Sequence, residues 1–259
     1  MPVQPLQGQR ALAPVDAQWR APQGRRLDEW ALRGAATLLL LVFASGSSAQ
    51  ISGTASVLSD YRYRGITLSG KKPAAQLGVT YDDPLGWYAG AFGSTTRFTP
   101  PLGSGSQAMV FAGFASRLSS GVSLEAGGDY SMFDNAARYN YGETFLGVAG
   151  ENLSVRIHYS QKYYGQRANS VYGEINYAQP LIDRVRLSLH AGFLRTGEDS
   201  GYGSGPDRRI WDGRIGCGVE FDLFQLELAW VGISRANAAY RLTQTTSSNT
   251  FVLTISRAF

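Results

Sequence analysis

The chain has 259 residues, 44% hydrophobic and 17% charged, with 31 Gly, 12 Phe, 14 Tyr, 5 Trp and one Cys. A charge content below the usual quarter, with Gly and aromatic residues spread along the whole length, excludes a disordered chain and a coiled coil. One Cys (Cys217) forbids an internal disulfide and offers no zinc cluster, and 24 basic against 20 acidic residues without a basic run gives no nucleic-acid surface.

Residues 1–34 are rich in Pro, Gln, Ala and Arg and show no sustained periodicity. Arg25, Arg26 and Arg33 then precede an apolar run from Ala35 to Ala44 and the small residues Ser45, Gly46, Ser47, Ser48 and Ala49. A positive region, a short apolar region and a Ser-x-Ala site, in that order, predict a secretory signal peptide cleaved near Ala49. An apolar run of about 15 Å as helix covers roughly half a bilayer core, so it does not read as a transmembrane helix. The stretch before Arg25 is long for a signal, as a start codon placed too far upstream would make it. The expected division is therefore an N-terminal extension with signal peptide over 1–49 and one domain over 50–259.

From Ile51 onward the dominant period is two. Ile51, Ala55, Val57, Tyr61 and Tyr63 alternate with Ser52, Thr54, Ser56, Asp60, Arg62 and Arg64. Successive side chains of a strand point to opposite faces, so this segment has one apolar and one polar face. Further along, Leu153, Val155, Ile157 and Tyr159 oppose Ser154, Arg156, His158 and Ser160. Val185, Leu187, Leu189, Ala191 and Phe193 oppose Arg184, Arg186, Ser188 and His190; Trp211, Ile215, Cys217, Val219 and Phe221 oppose Asp212, Arg214 and Glu220. About twelve strands are expected, over 51–64, 72–82, 86–97, 106–117, 121–132, 142–150, 152–163, 170–179, 184–195, 209–221, 223–234 and 250–259. Each is about ten residues, the length a tilted strand needs to cross a bilayer.

The connections sort by parity. Every second one is tight, such as Asp83-Pro84-Leu85, Leu118-Ser119-Ser120, Glu151 and Asp222, whereas the others (98–105, 196–208 and 235–249 among them) are longer and rich in Gly, Ser and Asn. Short turns at one end, long loops at the other and an even strand count describe an all-β, transmembrane antiparallel β-barrel of the bacterial outer membrane. The chain ends on Phe251, Leu253, Ile255 and Phe259 along one face, which resembles the terminal-strand signal that the barrel assembly machinery reads. Aromatics near strand ends suggest two interfacial girdles: Tyr61, Tyr63, Tyr163, Trp211 and Phe251 on the loop side; Tyr81, Trp87, Tyr177, Phe221, Phe224 and Phe259 on the turn side.

Ala55-Ser56-Val57-Leu58-Ser59-Asp60-Tyr61-Arg62-Tyr63-Arg64-Gly65, Pro73-Ala74-Ala75-Gln76-Leu77-Gly78 and Gly86-Trp87-Tyr88-Ala89-Gly90 together resemble the signature of the Gcw_chp family of proteobacterial outer-membrane proteins, also called TorF-type porins. The family pattern runs "vSdYrfRG", "PalQ" and "GfYaG". The resemblance implies an outer-membrane barrel in a Gram-negative bacterium, with a porin role and no catalytic residues. The long N-terminal extension departs from the family pattern and bears only on the start site.

With the apolar face toward outer-membrane lipid, the other face lines a lumen. Candidates for the lumen or its constriction are Asp60, Arg62, Arg64, Glu125, Asp129, Arg156, His158, Arg186, His190, Asp212 and Arg214; Asp82, Glu143, Lys162, Glu174, Glu220 and Glu227 share the face. Charges in a barrel wall are tolerable only in a wet or paired interior, and walls of opposite sign would screen solutes by charge. Asp60, Arg62 and Arg64 read either as an anionic-solute site or as a salt-bridge ladder anchoring the first strand. A nucleophilic site would need His158 or His190 beside a hydroxyl or carboxylate; Ser160 and Ser188 lie two residues away, about 7 Å along the strand. Gly127-Gly128, mid-strand with no helix following, marks a strand kink rather than a phosphate loop. The expected function is passive diffusion of small hydrophilic solutes, with no cofactor and no enzymatic role. The alternatives are a closed structural or adhesive barrel whose outer loops bind a partner, and an outer-membrane enzyme.

Overall fold

The structure, a computed structural model, describes residues 50–165, 169–197, 209–234 and 249–259. The segment 1–49, where a signal peptide is expected, and most of the loops expected over 196–208 and 235–249, lie outside them. In chain order the strands are β1 (Gln50–Leu58), β2 (Arg62–Tyr63), β3 (Ile66–Thr67), β4 (Ala74–Asp82), β5 (Trp87–Arg97), β6 (Ser104–Arg117), β7 (Ser123–Phe133), β8 (Tyr141–Ala149), β9 (Leu153–Ser160), β10 (Ser170–Ile182), β11 (Val185–Thr196), β12 (Arg209–Glu220), β13 (Gln225–Ile233) and β14 (Asn249–Ala258). All except β2 and β3 join one closed antiparallel barrel of twelve strands. β1 closes the ring by pairing with β4 on one side and β14 on the other.

Alternation decides the faces. Val110, Leu146, Val155, Ile157, Ile175, Ile215, Leu228, Leu253 and Ile255 stand exposed on the outside, an apolar belt around the barrel. Gln76, Ser94, Gln107 and Ser131, on adjacent strands, are fully buried inside. Closure satisfies the backbone ladder and leaves no sheet edge, the condition for strands to cross a bilayer. The tight connections 83–86, 118–122, 150–152, 183–184 and 221–224 fall at one end, together with Gln50 and Ala258.

Two boundaries differ from the periodicity. β10 continues through Pro180 to Ile182, its register to β11 shifting between Pro180 and Ile182, so the turn is 183–184 rather than 180–183. A bulge lets a proline sit in the ladder without donating. The larger correction concerns the first strand, expected to run to Arg64 but ending at Leu58. Residues 59–73 turn back into the barrel, with β2 and β3 as a two-residue hairpin inside it. Arg64 and Gly65, the turn between them, both have positive φ (48° and 77°), the combination of a type I′ hairpin turn with Gly at its second position.

The inward hairpin spans the lumen. Leu68 carbonyl accepts from Arg97 N–H at the end of β5, Tyr61 hydroxyl donates to Gln107 of β6, and Gly65 lies so close to Asp212 and Ile233 that a Cβ there would come within 3.0 Å of them. Tyr61, Tyr63, Ile66 and Leu68 pack with Phe92, Phe98, Phe133, Tyr141, Tyr163, Tyr164 and Tyr172 into one core at the loop end. Tyr61, Tyr63 and Tyr163 are therefore interior residues, not members of an outer girdle. Trp211 and Phe251 do face outward. Burial pushes the Tyr164 hydroxyl well above its ordinary pKa, keeping it neutral inside this core.

Candidate functional site: a charged lumen around an inward hairpin

The hairpin is stapled to itself by Asp60. Its carboxylate accepts from Arg62 Nε (2.8 Å), Thr67 Oγ1 (2.5 Å) and Ser69 Oγ (3.1 Å), while Arg62 Nη1 donates to the Gly65 carbonyl (2.9 Å). Asp60 and Arg62 are thus partners within the hairpin and not successive rungs on a strand. Arg64 instead reaches the wall. Its guanidinium makes a bidentate pair with Glu143 of β8 (3.1 and 2.6 Å) and lies 3.9 Å over the ring of Tyr172 of β10. Such a fork-to-carboxylate pair fixes orientation as well as sign.

Beneath the hairpin the wall charges pair across strands. Arg156 donates to both oxygens of Glu125 (3.0 and 2.8 Å), lies 3.9 Å from Glu174 and covers the Phe145 ring; Tyr88 hydroxyl also bonds Glu125. His158 sits between Glu143 and Glu174, and Asp129 is the direct cross-strand neighbour of Glu143. On the far wall, His190 bonds Asn176 through Nδ1 (2.7 Å) and Asp212 through Nε2 (2.9 Å), with Tyr172 hydroxyl donating to Asp212. Arg214 donates to Glu227 (2.8 Å), which also accepts from Ser188 (2.6 Å). The serines beside the histidines bond elsewhere: Ser188 to Glu227, and Ser160 to the Gly142 carbonyl.

Three of the residues expected in the lumen lie at its mouths instead. Arg186 and Glu220 share the inward face but are exposed at the turn end, and Lys162 is exposed on a loop. Cys217 faces outward. Gly127 is the place where the inward Phe145 ring needs room, since a Cβ there would meet its edge at 2.6 Å, whereas Gly128 lies on the opposite face of β7 beside Thr144. Basic and acidic residues of the inward face meet as ion pairs across strands. Sequence reasoning missed Tyr88, Tyr172 and Asn176 as partners of these charges. Only Tyr172 left a trace, as an aromatic on the polar parity of its strand.

A cavity of about 70 Å³ lies between the hairpin and the β12–β13–β14–β1 wall. Asp60, Arg62, Arg64, His190, Asp212, Arg214 and Glu227 contribute to its lining. Arg62 Nη2 is buried there without a hydrogen-bond partner.

A closed twelve-stranded barrel, apolar outside and charged inside, is the architecture of a porin-like protein. A family model described as "Bacterial protein of unknown function (Gcw_chp)" matches residues 44–259, and the chain belongs to that family. Among solved structures, the NanC porin is similar over 80% of this chain and 99% of its own, with 12% identity and a TM-score of 0.53. The KdgM porin covers 82% of this chain and 99% of its own at 10% identity and a TM-score of 0.48. No curated protein matches the chain in sequence.

Proposed function

We propose that the chain is an outer-membrane channel for passive diffusion of small hydrophilic solutes, narrowed near its loop end by the hairpin of residues 59–73. One observation carries this reading: the space beside the hairpin is lined by charged side chains of the hairpin and of β11, β12 and β13, alongside Leu58, Val231 and Val252. Apolar side chains would fill a purely structural interior at far lower cost than ionic ones. In this reading 1–49 is removed by cleavage near Ala49, the belt faces outer-membrane lipid, and the strand ending in Phe259 is recognised by the barrel assembly machinery. Arg62 and Arg64 on the hairpin, with His190, Asp212, Arg214 and Glu227 on the wall beside it, line this space and set its selectivity.

The test is single-channel conductance of the refolded barrel 50–259 in a planar bilayer under a salt gradient. Discrete openings, with a reversal potential that shifts when Arg62 and Arg64 are both changed to Ala, support the channel. A folded barrel that passes no current overturns it. The aromatic core at the loop end would then favour a closed barrel whose outer loops bind a partner.

A further inference from the structure

The wall formed by β7 to β10 carries more carboxylates than guanidiniums. Glu125, Asp129, Glu143 and Glu174 gather there, and the guanidiniums that meet them are those of Arg64 and Arg156. Four carboxylates against two guanidiniums in a poorly solvated interior are a costly arrangement without a further cation.

Three groups converge where that excess lies. Asp129 of β7, Glu143 of β8 and His158 of β9 occupy neighbouring strands, and one donor atom from each lies within 4.8 Å of the others. The His158 side chain is 9% exposed, yet neither ring nitrogen has a hydrogen bond. Nδ1 is 3.9 Å from Glu143 and Nε2 is 3.6 Å from Glu174, both beyond hydrogen-bond range. Asp129 Oδ1 is also buried without a partner. Buried polar atoms normally find partners, so two unpartnered groups aimed at one point are themselves evidence of something that belongs between them.

We propose that Asp129, Glu143 and His158 bind a divalent transition-metal cation of the Zn²⁺ type in the barrel wall. One imidazole and two carboxylates form a mixed N/O donor set, which suits Zn²⁺ or Co²⁺ better than the all-oxygen cations Mg²⁺ and Ca²⁺. The donor atoms lie up to 4.8 Å apart, and bonds of about 2.0–2.2 Å in a tetrahedral site need about 3.4 Å between donors, a closure of about 1 Å that side-chain rotation supplies. The surroundings already resemble the outer shell of a metal site. With Nδ1 as ligand, Nε2–H points at Glu174, the carboxylate–histidine–metal order that fixes the tautomer. Glu143 accepts from Arg64 and from the Tyr63 hydroxyl, and its carboxylate keeps a lone pair free for a metal. Since Arg64 is at the tip of the hairpin, the hairpin's position and the cation's are coupled through one carboxylate.

The test uses barrel produced from the full-length chain, extracted from membranes in detergent, stripped with EDTA and titrated with Co²⁺ and Zn²⁺. The expected result is one equivalent per chain, with a visible Co²⁺ spectrum abolished by Zn²⁺ and little affected by Mg²⁺. His158→Gln and Asp129→Asn weaken binding about tenfold or more, whereas His190→Gln, in the separate Asn176–Asp212 cluster, leaves it unchanged. The wild-type spectrum needs no variant, so a misfolded mutant does not decide the question. A wild-type barrel that takes up no Co²⁺ or Zn²⁺, or binding lost equally in His190→Gln, overturns the proposal. Metal content is read without conductance, so this site and the channel stand or fall separately.

Discussion

Arg64 is held by a carboxylate at one end and an aromatic face below it. Its side chain is 4% exposed, its Glu143 partner 1% exposed, and the Tyr172 ring lies 3.9 Å beneath the guanidinium. Burial by itself would lower the Arg64 pKa, and Glu143 together with Tyr163, Tyr63 and Tyr141 outweighs that effect, so the group stays cationic at the hairpin tip. Removing one member of such a pair leaves a buried charge without compensation, which costs about 3–5 kcal/mol, more than the pair itself contributes. Arg64→Ala should therefore lower the barrel's resistance to urea by an amount in that range. Arg64→Ala combined with Glu143→Gln should recover a large part of the loss, because the second change removes the stranded carboxylate. A double variant no more stable than the single would show that Arg64 acts through its stacking on Tyr172 and not through Glu143. The charge partners themselves were only half legible in the sequence. Parity along a strand tells which side chains share the lumen, and it placed Glu125, Arg156, His158, His190, Asp212 and Arg214 inside. Which of them meet depends on register between strands, which alternation within one strand does not contain.

At the scale of elements, the strands were readable and the hairpin was not. Period-two alternation with short turns marks where a strand begins and ends, and the barrel strands match the expected spans to within a few residues in most cases. Through Tyr61-Arg62-Tyr63-Arg64 the same alternation continues, and a spanning strand and an inward hairpin satisfy it equally. The distinguishing signal was the Arg64-Gly65 pair between the short strands β2 and β3, a turn that demands positive φ at both positions. Gly65→Val tests that turn. A β-branched residue at φ of 77° carries strain of about 1–3 kcal/mol, and its Cβ would crowd Asp212 and Ile233. The hairpin should leave the lumen while the barrel stays closed, since none of the twelve-stranded ladder passes through it. An arginine-specific protease should then cut at Arg62 and Arg64, which are buried in the wild type, and conductance should rise. Protection unchanged in Gly65→Val would mean that the hairpin's aromatic packing, not its turn, holds it inside.

For the whole molecule the decisive step is closure between the first strand and the last. β14 pairs with β1 from Leu58↔Thr254 to Thr54↔Ala258, and Phe259 extends the seam by exchanging both backbone hydrogen bonds with Gly53 at 2.9 Å. The ring of Phe259 lies over Gly53, at a spot where any Cβ would clash with it. Even so it remains 66% exposed, so folding energy alone asks little of this side chain. The backbone bonds belong to any residue at that position and contribute about 1 kcal/mol each. Phe259→Ala keeps those bonds and removes only the ring. In detergent, where no assembly machinery acts, this variant should refold with a midpoint within about 1 kcal/mol of the wild type. In cells its yield in the outer membrane should fall several-fold on the proposed recognition of Phe259 by the assembly machinery. Equal losses in detergent and in cells would assign the ring to the seam instead, and Gly53→Ala, which displaces the ring without removing it, should then reproduce the defect.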